Sequence, residues 1–206
     1  MVQSPPTTPP APSSGDGRRL RQRILDVALT LFAQRGYSAT SMREVALGAA
    51  CTKPALYYHF ENKAGLFLEV INEQMRTIGG VMESQFARPG SVRERCHAAM
   101  VMHFEHIRQN PLGLRMLVRA ELHAESGQPT FDFRSFRDRF RDMLAALLRE
   151  GVDNGELRAD LNIDDAVEAL AGMVDFRCML LVLQGEPIPE DYPARVLKVL
   201  YGGFAL

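Results

Sequence analysis

The stretch Ser41-Met42-Arg43-Glu44-Val45-Ala46-Leu47-Gly48-Ala49-Ala50-Cys51-Thr52-Lys53-Pro54-Ala55-Leu56-Tyr57-Tyr58-His59-Phe60 decides the fold. Ser41 followed three residues later by Glu44 is a capping box. The serine hydroxyl can accept from the Glu44 N–H while the carboxylate reaches back, which predicts a helix to about Ala49. Thr52 offers a second cap. Pro54 fits the second position of the next helix, because N–H groups of a first turn lack intrahelical partners anyway. Leu56 and Phe60, four apart, can anchor this short helix, leaving Lys53, Tyr57 and His59 free to reach phosphate oxygens or base edges. Two capped helices separated by about three residues form a helix-turn-helix, whose second helix can enter a major groove.

Outward from this unit the periodicity is helical in both directions. Upstream, Leu20, Ile24, Ala28 and Leu31 follow the i, i+4, i+8, i+11 spacing of an amphipathic helix ending near Gly36. Residues 1–17, rich in Pro, Ser, Thr and Gly, cannot offset their ordering entropy and are expected to be a disordered tail. Downstream, Asn62 caps a long helix through Leu66, Val70 and Ile78 to about Phe86, where Pro89-Gly90 follows. Further amphipathic segments lie at about 91–108, 111–124, 131–151, 163–184 and 189–201, divided by Pro- and Gly-containing breaks. An all-α fold of about nine helices is expected, with a DNA-binding domain over 18–78 and a second domain over 79–206.

Charge supports that division. From Arg18 to Arg76 there are nine Lys and Arg against five Asp and Glu, within a chain of net charge −1, so only the first module is suited to a polyanion. The three cysteines are far apart and outside any CxxC pairing, which suits a reducing cytoplasm and suggests neither disulfides nor a thiolate metal site. Residues 1–17 lack the cations and apolar run of a signal peptide. The most apolar stretch, 166–183, contains Glu168, Asp175 and Arg177 and reads as a buried helix rather than a membrane span.

At Leu31-Phe32, Gly36-Tyr37, Thr40-Ser41, Val45-Ala46, Leu56-Tyr57-Tyr58-His59-Phe60 and Lys63-Ala64-Gly65-Leu66 the chain resembles the TetR family of transcriptional regulators, in order and in spacing. The resemblance covers residues 18–78. It implies a homodimeric regulator, a repressor relieved by a small-molecule effector, contacting DNA through Thr40, Ser41, Arg43, Lys53, Ala55, Tyr57, Tyr58, His59 and Lys63. Tyr57, His59 and Lys63 match the family's phosphate-gripping positions, while Lys53 and Ala55 face the groove and Arg43 approaches from the preceding helix. Where the family often has Ala-Gly-Val-Ser, this chain has Ala49-Ala50-Cys51-Thr52, so the residue best suited to a positive φ is absent. Either Ala50 tolerates the turn, or Gly48 supplies the freedom.

Other features have plainer readings. His97, His103 and His106 lack an HExxH or cysteine partner, so no metal or other cofactor is expected. Arg134, Arg137, Arg139 and Arg141 alternate with acids around a Phe133, Phe136, Phe140, Leu144 stripe and read as a solvated, salt-bridged face. No nucleophile elbow, P-loop or dinucleotide fingerprint supports an enzyme. An architectural DNA-binding protein would need no pocket, and about 120 further residues are many for that role.

Two expectations concern the second domain. The helix over 163–184 is apolar almost all round, and Val196, Leu197, Val199 and Leu200 follow it, so the last two helices are expected to form a homodimer suited to a pseudo-palindromic operator. A pocket is expected from Met100, His103, Phe104, Met116, Arg119, His123, Asp175 and Phe176, with Met82 and Phe86 nearby. It would take a mainly apolar small molecule with one polar or anionic end.

Overall fold

The computed structural model describes residues 14–204. These form nine helices and no strand: α1 (Ser14–Arg35), α2 (Met42–Gly48), α3 (Lys53–His59), α4 (Lys63–Phe86), α5 (Val92–Gln109), α6 (Pro111–Leu122), α7 (Phe133–Asp153), α8 (Ile163–Gln184) and α9 (Tyr192–Phe204). The caps fall where local chemistry puts them. The Thr52, Asn62, Asn110 and Asp132 side chains accept from the backbone N–H three residues on, and Ser41 and Ser91 each close a full capping box.

The expected disordered tail is revised at its end. Residues 1–13 lie outside the described residues, but Ser14–Gly17 form the first turn of α1, where the charge of Asp16 complements the positive end of the helix dipole.

Two apolar cores share the molecule. The first joins Phe32 and Ile24 of α1, Val45 of α2, Leu56 of α3 and Leu66 and Ile71 of α4 with Met116, Leu117 and Ala120 of α6 and Phe133 of α7. The second is built from α5, α7, α8 and α9 around Phe104, Ile107, Leu148 and Leu197. Helix α4, about 36 Å long at 1.5 Å per residue, runs between them: its first half is in the first core, and Met82 and Phe86 near its end border the second. At the junction, Asn110 Nδ2 donates to the buried Gln74 Oε1 at 2.8 Å, joining α4 to the α5–α6 turn. No described helix is long and apolar enough to cross a membrane.

Candidate nucleic-acid interface and ligand cleft

Between α2 and α3 the chain reverses in a Schellman turn. Ala50 N–H donates to Leu47 O at 3.1 Å and Cys51 N–H to Ala46 O at 3.0 Å, with Ala50 at φ 50. Ala50 therefore carries the left-handed residue of the turn, against the steric preference of its own Cβ. Gly48 is helical and serves close packing instead. A Cβ there would lie 2.7 Å from Val27 Cγ1, so the missing side chain lets α2 close on α1.

Leu56 and Phe60 fix α3 from below, at 0% and 6% exposure. Arg43, Lys53, Tyr57 and Tyr58 are exposed on the other side, and Ala55 and His59 are half-buried beside them. Arg43 and Lys53 have no ion-pair partner among the described residues. His59 stacks edge-on against Tyr58 at 5.2 Å. A Cβ added at Gly17 would lie 4.0 Å from the His59 ring, so the start of α1, with the exposed Arg18 and Arg19, passes close to α3. Sequence reasoning counted these two arginines in the basic module without naming them as contacts. Lys63 sits 4.2 Å above the Tyr37 ring, its Nζ 3.4 Å from Ser38 O, which ties a cation at the start of α4 to the α1–α2 turn.

Two of the expected DNA contacts have structural duties as well. Thr40 is buried, its hydroxyl donating to Gly36 O at 2.8 Å, so it closes the α1–α2 turn. Ser41 is exposed, but its oxygen accepts from Glu44 N–H and its hydroxyl meets Glu44 Oε2 at 2.7 Å, which commits it to the cap.

The α1–α2 turn is gripped by the end of α6 and the loop beyond it. Glu125, in the α6–α7 loop, accepts from the N–H groups of Tyr37 and Ser38 at 3.2 and 2.8 Å and pairs with Arg119 at 3.1 Å. Arg119 also donates to Arg35 O. Burial alone would raise the Glu125 pKa, but the Ser38 and Arg119 bonds outweigh it and hold the carboxyl below its usual range. Gly36, at φ 88, leaves no space for a Cβ, which would overlap Glu125 Oε1 and Arg119.

Between α4, α5, α7 and α8 lies a two-lobed cleft. The inner lobe is apolar, walled by Met82, Phe86, Met100, Phe140, Leu170 and Val174 among others. The outer lobe adds Ile78, Phe136, Arg137, Arg141 and Asp175, and His103 borders both. Free space is small, about 30 Å³ inside and about 90 Å³ outside. A guest must therefore push side chains aside, which the unbranched Met82 and Met100 permit at low cost. Burial, and secondarily the His106 charge, pushes the His103 pKa down to about 4, so its ring is neutral. Its Nε2 lies 3.8 Å from Cys178 Sγ, whose own pKa is pushed up to about 12, chiefly by burial.

Of the eight residues expected to line a pocket, Met100, His103 and Asp175 border this cleft. The other five lie elsewhere. Phe104 is fully buried against Tyr192, and Met116 belongs to the first core. Arg119 serves the grip on the α1–α2 turn, His123 is exposed at the end of α6, and Phe176 is 58% exposed on α8. Arg137 and Arg141 lie on the solvated, salt-bridged face expected of them, exposed and with Arg137 paired to Glu121 of α6, and they also stand at the mouth of the cleft. The Phe136 and Phe140 spacing on α7 was the available signal, since residues one position on from an inward aromatic border the same opening.

The outer face of α8 presents Phe176 and Leu183, both more than half exposed, with Leu180 between them. On α9, Val196, Leu197 and Leu200 turn inward to the second core and only Val199, 65% exposed, faces out. The expected contribution of α9 to a shared surface is thus reduced to one of four apolar positions.

Comparison with known proteins agrees with this architecture. The family described as "Bacterial regulatory proteins, tetR family" matches residues 24–70, and "Tetracyclin repressor-like, C-terminal domain" matches residues 88–200. The HTH-type transcriptional repressor KstR2 of Mycolicibacterium smegmatis is 31% identical over 160 residues, 77% of this chain and 75% of that protein. Two solved structures share the fold at lower identity. KstR2 of Mycobacterium tuberculosis has a TM-score of 0.68 at 23% identity, over 89% of this chain and 94% of that one. FadR from Bacillus subtilis, in complex with stearoyl-CoA, has a TM-score of 0.70 at 20% identity, over 88% and 98%.

Proposed function

The chain belongs to the tetR family of bacterial regulatory proteins, and from that premise we propose that it is a homodimeric repressor whose hold on operator DNA is released when an apolar effector enters the α4–α5–α7–α8 cleft. The observation that carries the DNA half is the α3 surface: Leu56 and Phe60 are locked in the core while Lys53, Tyr57 and Tyr58 stand exposed, with Arg43 of α2 exposed beside them. Such a face suits insertion into a major groove, with Lys63, His59 and Tyr57 at the flanking phosphates and Lys53, Ala55 and Arg43 toward base edges. Residues 18–78 act as the DNA-reading unit and the remainder as sensor and dimerisation unit.

The Phe176, Leu180 and Leu183 stripe supports pairing through α8, which would set two α3 helices against the half-sites of a pseudo-palindrome, about 34 Å apart. The cleft supports sensing. Its inner wall is hydrocarbon and its mouth carries Arg137 and Arg141 together with Asp175, so it suits an apolar body with a polar end. The stearoyl-CoA held by the FadR relative is a molecule of that kind. A purely architectural DNA-binding protein would have no use for such a cleft.

Selection from a random duplex library with the full chain tests the DNA half. A two-fold symmetric consensus protected by the protein is expected; recovery of no sequence, or binding retained by a Lys53, Tyr57, Lys63 triple alanine variant, would exclude this surface.

A further inference from the structure

The cleft holds one neutral polar atom that the protein leaves unused. His103 Nδ1 is buried with no hydrogen-bond partner among the described residues, on a side chain bordering both lobes. The other buried side-chain nitrogens in that condition belong to Arg95, Arg158 and Arg177, whose charges are balanced by Glu150, Asp160 and Glu186. An unmet polar atom in an apolar wall carries its full desolvation penalty unless a guest meets it.

What the guest must offer follows from the opposite side of the ring. A neutral imidazole has one donor and one acceptor nitrogen, and Nε2 faces Cys178 Sγ at 3.8 Å. A thiol sulfur accepts poorly whereas an imidazole nitrogen accepts well, and buried Cys178 keeps its proton. The better pairing has the S–H donating to Nε2, which leaves the ring proton on Nδ1.

Resting on the cleft as effector site, we propose that His103 is its polar anchor and acts as a donor, so that the effector carries a hydrogen-bond-accepting carbonyl or carboxylate oxygen on an apolar, acyl-type body. The walls accept the hydrocarbon, and the mouth, where Arg137 and Arg141 stand with Asp175 and Glu121, is polar. Cys178 is a positioning residue, acting only through the ring's tautomer.

Calorimetric titration of the full chain with decanoate and with decylamine tests this, using wild type, His103→Phe, His103→Asn and Val174→Trp, the last filling both lobes. Decanoate should bind wild type at least about 10-fold more tightly than the donor-only amine, and His103→Phe should remove about that factor. His103→Asn, which keeps a donor, should recover most of it, and Val174→Trp should abolish binding. Nitrogen NMR of wild type should show the His103 proton on Nδ1, shifting toward Nε2 in Cys178→Ala. If Val174→Trp blocks decanoate while His103→Phe binds like wild type, the anchor is overturned and the effector site stands. If decanoate fails to bind, or binds regardless of Val174→Trp, the effector-site reading itself falls.

Discussion

Replacing Ala50 with glycine should make this protein more stable, a result opposite to that expected for most glycine substitutions. Ala50 occupies the left-handed position of the α2–α3 turn at φ 50 and is exposed, so its methyl buries little surface. The left-handed conformation costs an L-residue roughly 1–2 kcal/mol, because Cβ crowds the following carbonyl. Glycine removes that cost but loses about 0.5–1 kcal/mol more chain entropy on folding. The balance is a gain of about 0.5–1 kcal/mol, or roughly 1–4 °C in Tm for a chain of this size. Ala49→Gly is the control: Ala49 is 1% exposed at φ −79, so glycine there incurs the entropy and loses a buried methyl, and Tm should fall. Thermal and urea unfolding of both variants would measure the pair. An Ala50→Gly protein equal to or less stable than wild type would refute the strain argument, and a changed operator affinity would show that the turn's conformation is not conserved through the substitution.

Lys63→Ala should weaken operator and random DNA alike and lower the salt slope by about 1, whereas Lys53→Ala or Arg43→Ala should reduce the operator-to-random ratio, at about 1–3 kcal/mol per lost base contact, all read by titration at several salt concentrations. Phe176→Asp, on the exposed stripe of α8, should shift sedimentation to a monomer and with it lose tight operator binding; an unchanged dimer would move the interface elsewhere. Because the Glu125 carboxyl is held below its usual range when folded, its contribution to stability is complete above the unfolded value and disappears as pH falls through the lowered folded one. Melting curves of wild type and Glu125→Gln should therefore differ most near neutrality and converge in acid. Gly48→Ala should destabilise, since its new methyl meets Val27, and far-ultraviolet dichroism on heating would report it.

The helix-turn-helix was legible because its determinants are local. Ser41 and Glu44, Thr52 and Ala55, and Asn62 and Gly65 are capping pairs three residues apart, and each formed as the spacing implied. The structural role of Thr40 was not legible, because its partner, Gly36 O, becomes available only once α1 has ended. The pocket was half legible. Met82, Phe86, Met100 and His103 could be placed inward by helical period, but period cannot tell which of two cores an inward residue joins. Met116 went to the first core and Phe104 to the second. Arg119 and His123 each stand in an apolar segment, which points them toward a pocket; the carboxylate that claims Arg119 lies in the irregular α6–α7 loop, which has no period to read. Phe176 faces solvent within one chain for the reason that it was conspicuous in the sequence: a helix apolar all round has more hydrophobic surface than one fold can cover.

Helix α6 bears on how such a protein can be taken apart. Met116, Leu117 and Ala120, though distant in sequence from the DNA-reading helices, complete their core, and Glu125 just beyond them holds the turn that leads into α2. Cutting the chain within α4 would therefore strip the DNA-reading part of one wall and leave apolar surface open on both fragments. A transplant of residues 18–78 onto another sensor would import a core shaped for this α6 and meet a foreign one. In this chain α6 and its following loop belong with the helix-turn-helix, so the unit that packs together is spatial and its two pieces are separated in the sequence.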